Sequence, residues 1–320
     1  MNYKIDLYDK KILYELDKKS NLSISNLAKK LRRSKQFILY RIKKLEDEGI
    51  ISGYHAIVDM SKLGYFTFRV YIKFHKTTRT DEESFVKFII KNLSRVWTIT
   101  LMRGKWSYAL FLGVQNVGQF HETWDAITLK YKDKIKSYNI AIYAPIYNFN
   151  RRFFLEEESD AIERDYGLGE KEEVTQKDRE IIDIYASNVR MPYTEIAAKL
   201  GISPDNVRTR IKELERRKII VGYKINLNIE KLGYIGYRVD LELNSTKKNK
   251  ELLAYCRQHK SIYLVQKNIG GADFEMGVIA KDQANLLDII DEMKKEFNTV
   301  IDDVEYFGYS TFHVSKYVPD

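Results

Sequence analysis

Residues 34–46 read SKQFILYRIKKLE, and residues 203–215 read SPDNVRTRIKELE. Each opens on a serine, and each repeats an apolar residue every third or fourth position. Ile38, Ile42 and Leu45 do so in the first, and Val207, Ile211 and Leu214 in the second. At about 100° per residue these fall within one narrow arc, so each stretch predicts an amphipathic helix with its serine as N-cap. Pro204 falls at the first helical position, where a missing N–H costs nothing. The outward arc of the first helix holds Gln36, Tyr40 and Lys43, flanked by Phe37, Leu39 and Lys44. That of the second holds Asp205, Thr209 and Lys212, flanked by Asn206, Arg208 and Glu213.

Upstream, Ile12, Leu13 and Leu16 predict a first helix, and Ile24, Leu27 and Leu31 a second, separated by Ser20-Asn21. Downstream, residues 49–58 read GIISGYHAIV, a turn and two short strands that would form a wing. Three short helices and a wing describe a winged helix-turn-helix.

The same order recurs. Residues 9–74 align without a gap on 178–243, with 21 of 66 positions identical. Lys62-Leu63-Gly64-Tyr65 returns as Lys231-Leu232-Gly233-Tyr234. Beyond the aligned stretch each copy keeps a strand-helix-strand-strand-helix-strand pattern, the ferredoxin-like βαββαβ order with both helices on one face. The fold class is therefore α+β, two winged helix-turn-helix domains alternating with two ferredoxin-like domains. The expected boundaries are 1–60, 61–150, a charged link at 151–173, 174–229 and 230–320. The link predicts a short acidic helix and then, at Gly167 and Gly169, a flexible spacer.

Composition narrows the function. The 320 residues carry a formal charge of +9, concentrated in the first 150 residues, which alone carry +13. A basic half suits a polyanionic partner, although charge by itself equally serves solubility. No apolar run of about 18 residues is present to span a membrane. A single cysteine, Cys256, leaves no intramolecular disulfide and no cysteine-rich metal site, so a reducing cytoplasm is expected. No H-E-x-x-H, Walker loop or G-x-S-x-G occurs, and the chain reads as a non-enzyme without cofactor or metal.

The residues expected to meet double-stranded DNA are Ser34, Lys35, Gln36, Phe37, Tyr40, Arg41, Lys43 and Lys44, with Ser203, Asn206, Arg208, Thr209, Arg210 and Lys212 in the second copy. Lysine and arginine suit guanine edges and asparagine or glutamine suits adenine edges, while the helix N-terminus offers N–H groups to a phosphate. The alternative is that a charged helix face is simply solvated, and that the second helix, with Asp205 and Glu213 outward, no longer binds DNA.

Taken together, D-x-x-I at Asp9–Ile12 and Asp178–Ile181, S-x-x-x-x-x-x-R-I-K-x-L-E, I-I-x-G-Y and the L-G-Y opening the sheet resemble the Lrp/AsnC, or feast/famine, family of transcriptional regulators. The resemblance runs through nearly the whole chain, twice. It implies ferredoxin-like domains of the RAM type, which pair two protomers and bind small effectors such as amino acids. Family members carry a G-x-x-D turn, matched by Gly270-Gly271-Ala272-Asp273, whereas Gly104-Lys105-Trp106-Ser107 departs from it. Gly104, Ser107, Gly270, Gly271 and Asp273 are thus the expected effector residues, although the glycines also serve a positive φ. With two modules in one chain, the resemblance implies an intrachain pseudo-dimer reading an imperfect palindrome, alone or in a larger homo-oligomer. Siroheme decarboxylases resemble this family too, and a tetrapyrrole enzyme is the alternative. Against it, His75, His121, His259 and His313 do not recur at matching positions.

Overall fold

In the computed structural model, residues 4–155 and 160–314 are described, with side chains to residue 310. The first head comprises α1 (Leu7–Lys18), α2 (Ile24–Leu31), α3 (Lys35–Asp47) and β1 (Ile51–Val58). Its ferredoxin-like domain follows as β2 (Phe66–Phe74), α4 (Arg79–Asn92), β3 (Val96–Arg103), β4 (Tyr108–Val114), α5 (Val117–Tyr131) and β5 (Ile135–Phe149). A short β6 (Glu163–Tyr166) lies in the link. The second copy runs α6 (Gln176–Ser187), α7 (Tyr193–Leu200), α8 (Pro204–Arg216), β7 (Ile220–Leu227), β8 (Ile235–Leu243), α9 (Asn249–Gln258), β9 (Ile262–Ile269), β10 (Phe274–Ala280), α10 (Gln283–Glu296) and β11 (Ile301–Val314).

Local chemistry starts the helices as the sequence predicts. Ser34 and Ser203 accept the N–H groups of Phe37 and Asn206. Asp6 with Asp9, and Thr175 with Asp178, close capping boxes on α1 and α6. Ile38, Ile42, Leu45, Val207, Ile211 and Leu214 are all buried, and one continuous core joins both heads.

The wing differs from expectation. Residues 51–58 form one uninterrupted strand rather than two, and β1 pairs antiparallel with β7 of the other copy, setting His55 opposite Lys224. A hairpin inside one copy would leave the apolar face of that strand bare. Pairing across the copies buries it against the first helix of the opposite head.

The two sheets also pair. In each last strand the first part bonds to its own domain and the remainder crosses over, β5 to β9 and β11 to β3. The strand order β2-β4-β3-β11-β8-β10-β9-β5, with β5 returning to β2, closes an eight-stranded barrel. Helices α4 and α5 cover one flank, their Phe85 and Ile127 sharing a core with Val70 and Ile72, and α9 and α10 cover the other, their Leu252 and Met293 sharing a core with Val239 and Leu241. The pseudo-dimer therefore lies within one chain.

The later part of the link is not the loose spacer expected of it. The link's acidic residues 156–159 lie outside the described residues, and 163–166 form β6 on β5. Arg151 and Arg164 are buried. Arg151 donates to the Asp17 carboxylate at 3.0 Å, and Arg164 to the carbonyls of Asp17 and Lys18 at 2.9 and 2.8 Å. Charges that read as solvent-facing instead pin the link under the heads.

Candidate nucleic-acid interface and interior cavity

The third helix of each head has an inner apolar arc and an outer polar one. On α3, Lys35, Gln36, Tyr40 and Lys43 are exposed, Tyr40 by 63%. Phe37 turns partly inward, edge-on to Tyr8 with ring centroids 5.5 Å apart, and Lys44 is half-buried. Arg41 points back to the first helix, meeting Asp6 at 2.6 Å and Asp9 at 3.3 Å. On α8, Arg210 does the same with Asp178 at 2.8 Å, and its Nε donates to Asn206 at 2.7 Å. Asn206, Arg208, Thr209 and Lys212 are exposed, but Arg208 has Asp205 at 3.6 Å. The two heads thus present different surfaces, one cationic and one mixed. Ser34 and Ser203 start the helices.

The residues of the expected effector turns also make local bonds to backbone. Ser107 accepts the Phe74 N–H at 3.1 Å, and Asp273 accepts the Leu243 N–H at 2.8 Å. These are matching bonds at the ends of matching strands, and the second engages one oxygen of the Asp273 carboxylate. Gly104 and Gly270 both have positive φ, +122° and +91°. A Cβ on Gly271 would lie 2.5 Å from the Arg69 guanidinium. This turn is tight because a charge sits beneath it.

That charge belongs to the barrel interior. Arg69 and Glu275 pair there with exposures of 1% and 0%, and the hydroxyls of Tyr71 and Tyr143 also donate to Glu275. Beneath the β1–β7 ribbon lies a cavity of about 980 Å3, joined to a lobe of about 600 Å3 that reaches into the barrel. Both are lined by His55, Phe111, Asn148, Lys224, Asn226 and Gln266. Burial, then the charges of Lys224 and Arg151, push His55 down to about 3, so it is neutral at ordinary pH. Burial, reinforced by Arg151 and Arg164 against the pull of Asp17, holds Lys224 well below the usual lysine range. The Lys224 Nζ donates to the Asn148 side chain at 3.2 Å and the Phe149 carbonyl at 3.4 Å.

Sequence reasoning did not single out His55, Lys224, Arg69, Arg238 or Glu275. A signal was present, since Arg69 and Arg238 are identical at matching positions of the repeat. Among the described residues His55 is the histidine on this wall. His259 lines a separate hollow at the end of α9, and the His313 side chain lies outside the described residues.

A family model described as winged helix-turn-helix DNA-binding matches residues 5–52 and again 175–221. The HTH-type transcriptional regulator LrpA of Pyrococcus horikoshii is 49% identical over 61 residues, 19% of this chain and 43% of that protein. The chain thus spans less than half the length of that relative. The proline dehydrogenase transcriptional activator of Rhodobacter capsulatus is 31% identical over 118 residues, 36% of this chain and 77% of that protein. Among solved structures, the siroheme decarboxylase NirDL superposes with a TM-score of 0.64 at 14% identity, covering 97% of this chain and 94% of its own. The likeness is one of fold, and it corrects the reading of the sequence as a non-enzyme. An enzyme shares this whole tandem architecture, so the missing catalytic motifs do not set the chain apart from catalysis. No helix among the described residues is long and apolar enough to cross a membrane.

Proposed function

Because the chain belongs to the Lrp/AsnC family of winged helix-turn-helix proteins, we propose that it is a transcriptional regulator that binds double-stranded DNA through α3 and, more weakly, α8. The observation that carries this reading is the outer face of α3. Lys35, Gln36, Tyr40 and Lys43 stand exposed beside a capped N-terminus, while Ile38, Ile42 and Leu45 of the inner arc are buried. Such a face enters a major groove with cations for phosphates and an amide for a base edge. The ribbon and the common core hold both heads in one chain, which favours two unlike half-sites about one helical turn apart. The head on the basic half of the chain supplies most of the electrostatic affinity. Responsiveness to a small effector belongs to the same reading.

Selection of bound duplexes from a random pool, using the full chain, tests it. The expected result is an imperfect palindrome whose stronger half depends on Lys43. Failure to enrich any sequence above the starting pool overturns the proposal.

A second reading is favoured by the cavity. Its volume, its apolar wall around Trp97 and Phe111, and the Lys224 amine and Arg151 guanidinium beside it suit a large polycarboxylate such as a tetrapyrrole, the substrate class named for the fold neighbour. Titration with siroheme, followed by absorption and by carbon dioxide release, tests it. An unchanged spectrum at micromolar protein removes this reading and leaves the first intact.

A further inference from the structure

The barrel interior is built twice around one arginine, but its carboxylate is present once. The strand registers establish the correspondence. Tyr71 pairs with Ala109 between β2 and β4, as Asp240 pairs with Glu275 between β8 and β10. Arg69 lies opposite Phe111 and Ala141, as Arg238 lies opposite Gly277 and Phe307. Across the barrel, then, Arg69 faces Glu275, and the position that faces Arg238 is Ala109.

The consequences differ at the two ends. Arg69 has its carboxylate, reinforced by the hydroxyls of Tyr71 and Tyr143. Arg238 is 8% exposed and has no acidic partner within 4.0 Å among the described residues. Its Nη2 donates to the Tyr143 hydroxyl at 3.5 Å, and its Nη1 is buried with no hydrogen-bond partner. Both Arg238 and Ala109 line the lobe of about 600 Å3, so room exists where a glutamate is missing. The hydroxyls of Tyr263 and Tyr309, 2.7 Å apart, line it too. Gln266 and Thr100 each bring a buried polar oxygen without a partner. Asp240 is the carboxyl alongside, and burial with the Glu275 charge raises it well above its ordinary range against the pull of Arg238.

We propose that this lobe is a binding site for the carboxylate of a small organic acid, which takes at Arg238 the place that Glu275 takes at Arg69. A buried guanidinium left without an anion is costly, and a ligand carboxylate offsets that cost with charge-assisted bonds. The body of the ligand lies against Met102 and Phe111, on the wall leading to the larger cavity. The site needs neither DNA nor a tetrapyrrole, and it is distinct from the G-x-x-D turn, whose Asp273 is bound to backbone.

The test is calorimetric and thermal titration of the full chain with phenylacetate and glutarate, set beside phenylacetamide and glutaramide. A carboxylate is expected to bind saturably and raise the melting temperature, with the matching amide at least about tenfold weaker, as loss of a charge-assisted bond dictates. Arg238→Gln is expected to abolish binding. Ala109→Glu is expected to abolish it as well, by supplying the carboxylate from within, while raising the melting temperature. Equal binding of acid and amide, no binding by either acid at millimolar concentration, or undiminished binding to a folded Ala109→Glu protein overturns the proposal. The comparison of acid with amide on the unaltered chain decides the matter even if Arg238→Gln does not fold.

Discussion

Arg210 of α8 closes on the carboxylate of Asp178 in α6 at 2.8 Å, and Asp178 is at the same time the residue that completes the capping box of α6 with Thr175. The matching Arg41 meets Asp9 in the same way. The arginine that recurs in both third helices is thus a brace between two helices of its own head. Arg210→Ala removes a partly buried charge-assisted bond, and a destabilisation of about 1.5–3 kcal/mol is expected by chemical denaturation. At temperatures where the variant stays folded, DNA affinity should change less than it does for Lys43→Ala. A large drop in affinity at unchanged stability would place Arg210 on the DNA instead.

Lys35, Tyr40 and Lys43 have the opposite character, being exposed and outward. Lys35→Ala with Lys43→Ala should leave the melting temperature almost unmoved. It should also lower the slope of log affinity against log salt by about 0.9 for each phosphate that is no longer neutralised. Anisotropy titrations of a selected duplex at several salt concentrations measure the slope, and a thermal melt measures the stability. An unchanged slope would remove these lysines from the interface.

What could be read in advance was what is local. Ile38, Ile42 and Leu45 announce a buried arc because helical periodicity is written within one turn, and Ser34 and Ser203 announce the starts. The strand Tyr237-Arg238-Val239-Asp240-Leu241 alternates apolar and polar residues, the pattern of a sheet with one wet face. Closure of the barrel turns that polar face inward, and closure depends on β5 reaching β9 and β11 reaching β3, pairings far apart in sequence. For the same reason Arg151 and Arg164 pass for surface residues of a linker until Asp17, distant in the chain, is placed beside them.

His55 provides a pH-dependent signature. In the unfolded chain it takes up a proton below about pH 6.5, whereas in the folded chain burial and the nearby cations lower it to about 3. Between these values the unfolded state binds the extra proton, so the stability His55 contributes is complete above about pH 6.5 and is lost as the pH falls toward 3. Urea unfolding at about pH 7.5, 6.5, 5.5 and 5.0 should show this loss, steepening toward about 1.4 kcal/mol per pH unit well below pH 6.5. His55→Gln should flatten the profile over that window, where most carboxylates have not begun to titrate. An unchanged slope in the variant would assign the acid sensitivity to other groups.

Separating the two modules gives the most direct test of the barrel's uneven charge. A fragment of residues 1–150 leaves β3 and β5 without the strands β11 and β9 that pair with them, and a fragment of residues 174–320 leaves β9 and β11 bare in turn. Unpaired edges drive each fragment to associate with itself by the same crossover. The resulting interiors are unlike. Two copies of the second fragment set Arg238 of each against Glu275 of the other, two buried ion pairs. Two copies of the first set Arg69 against Ala109, two buried guanidinium groups with no carboxylate, each costing about 3–5 kcal/mol relative to a paired one. The second fragment should therefore form a firm dimer at micromolar concentration by light scattering, and the first a weak one. Ala109→Glu in the first fragment should restore the ion pairs and tighten that dimer. If the first fragment dimerises as tightly as the second without this change, the Arg69–Glu275 pair does not govern how the halves of the barrel recognise each other.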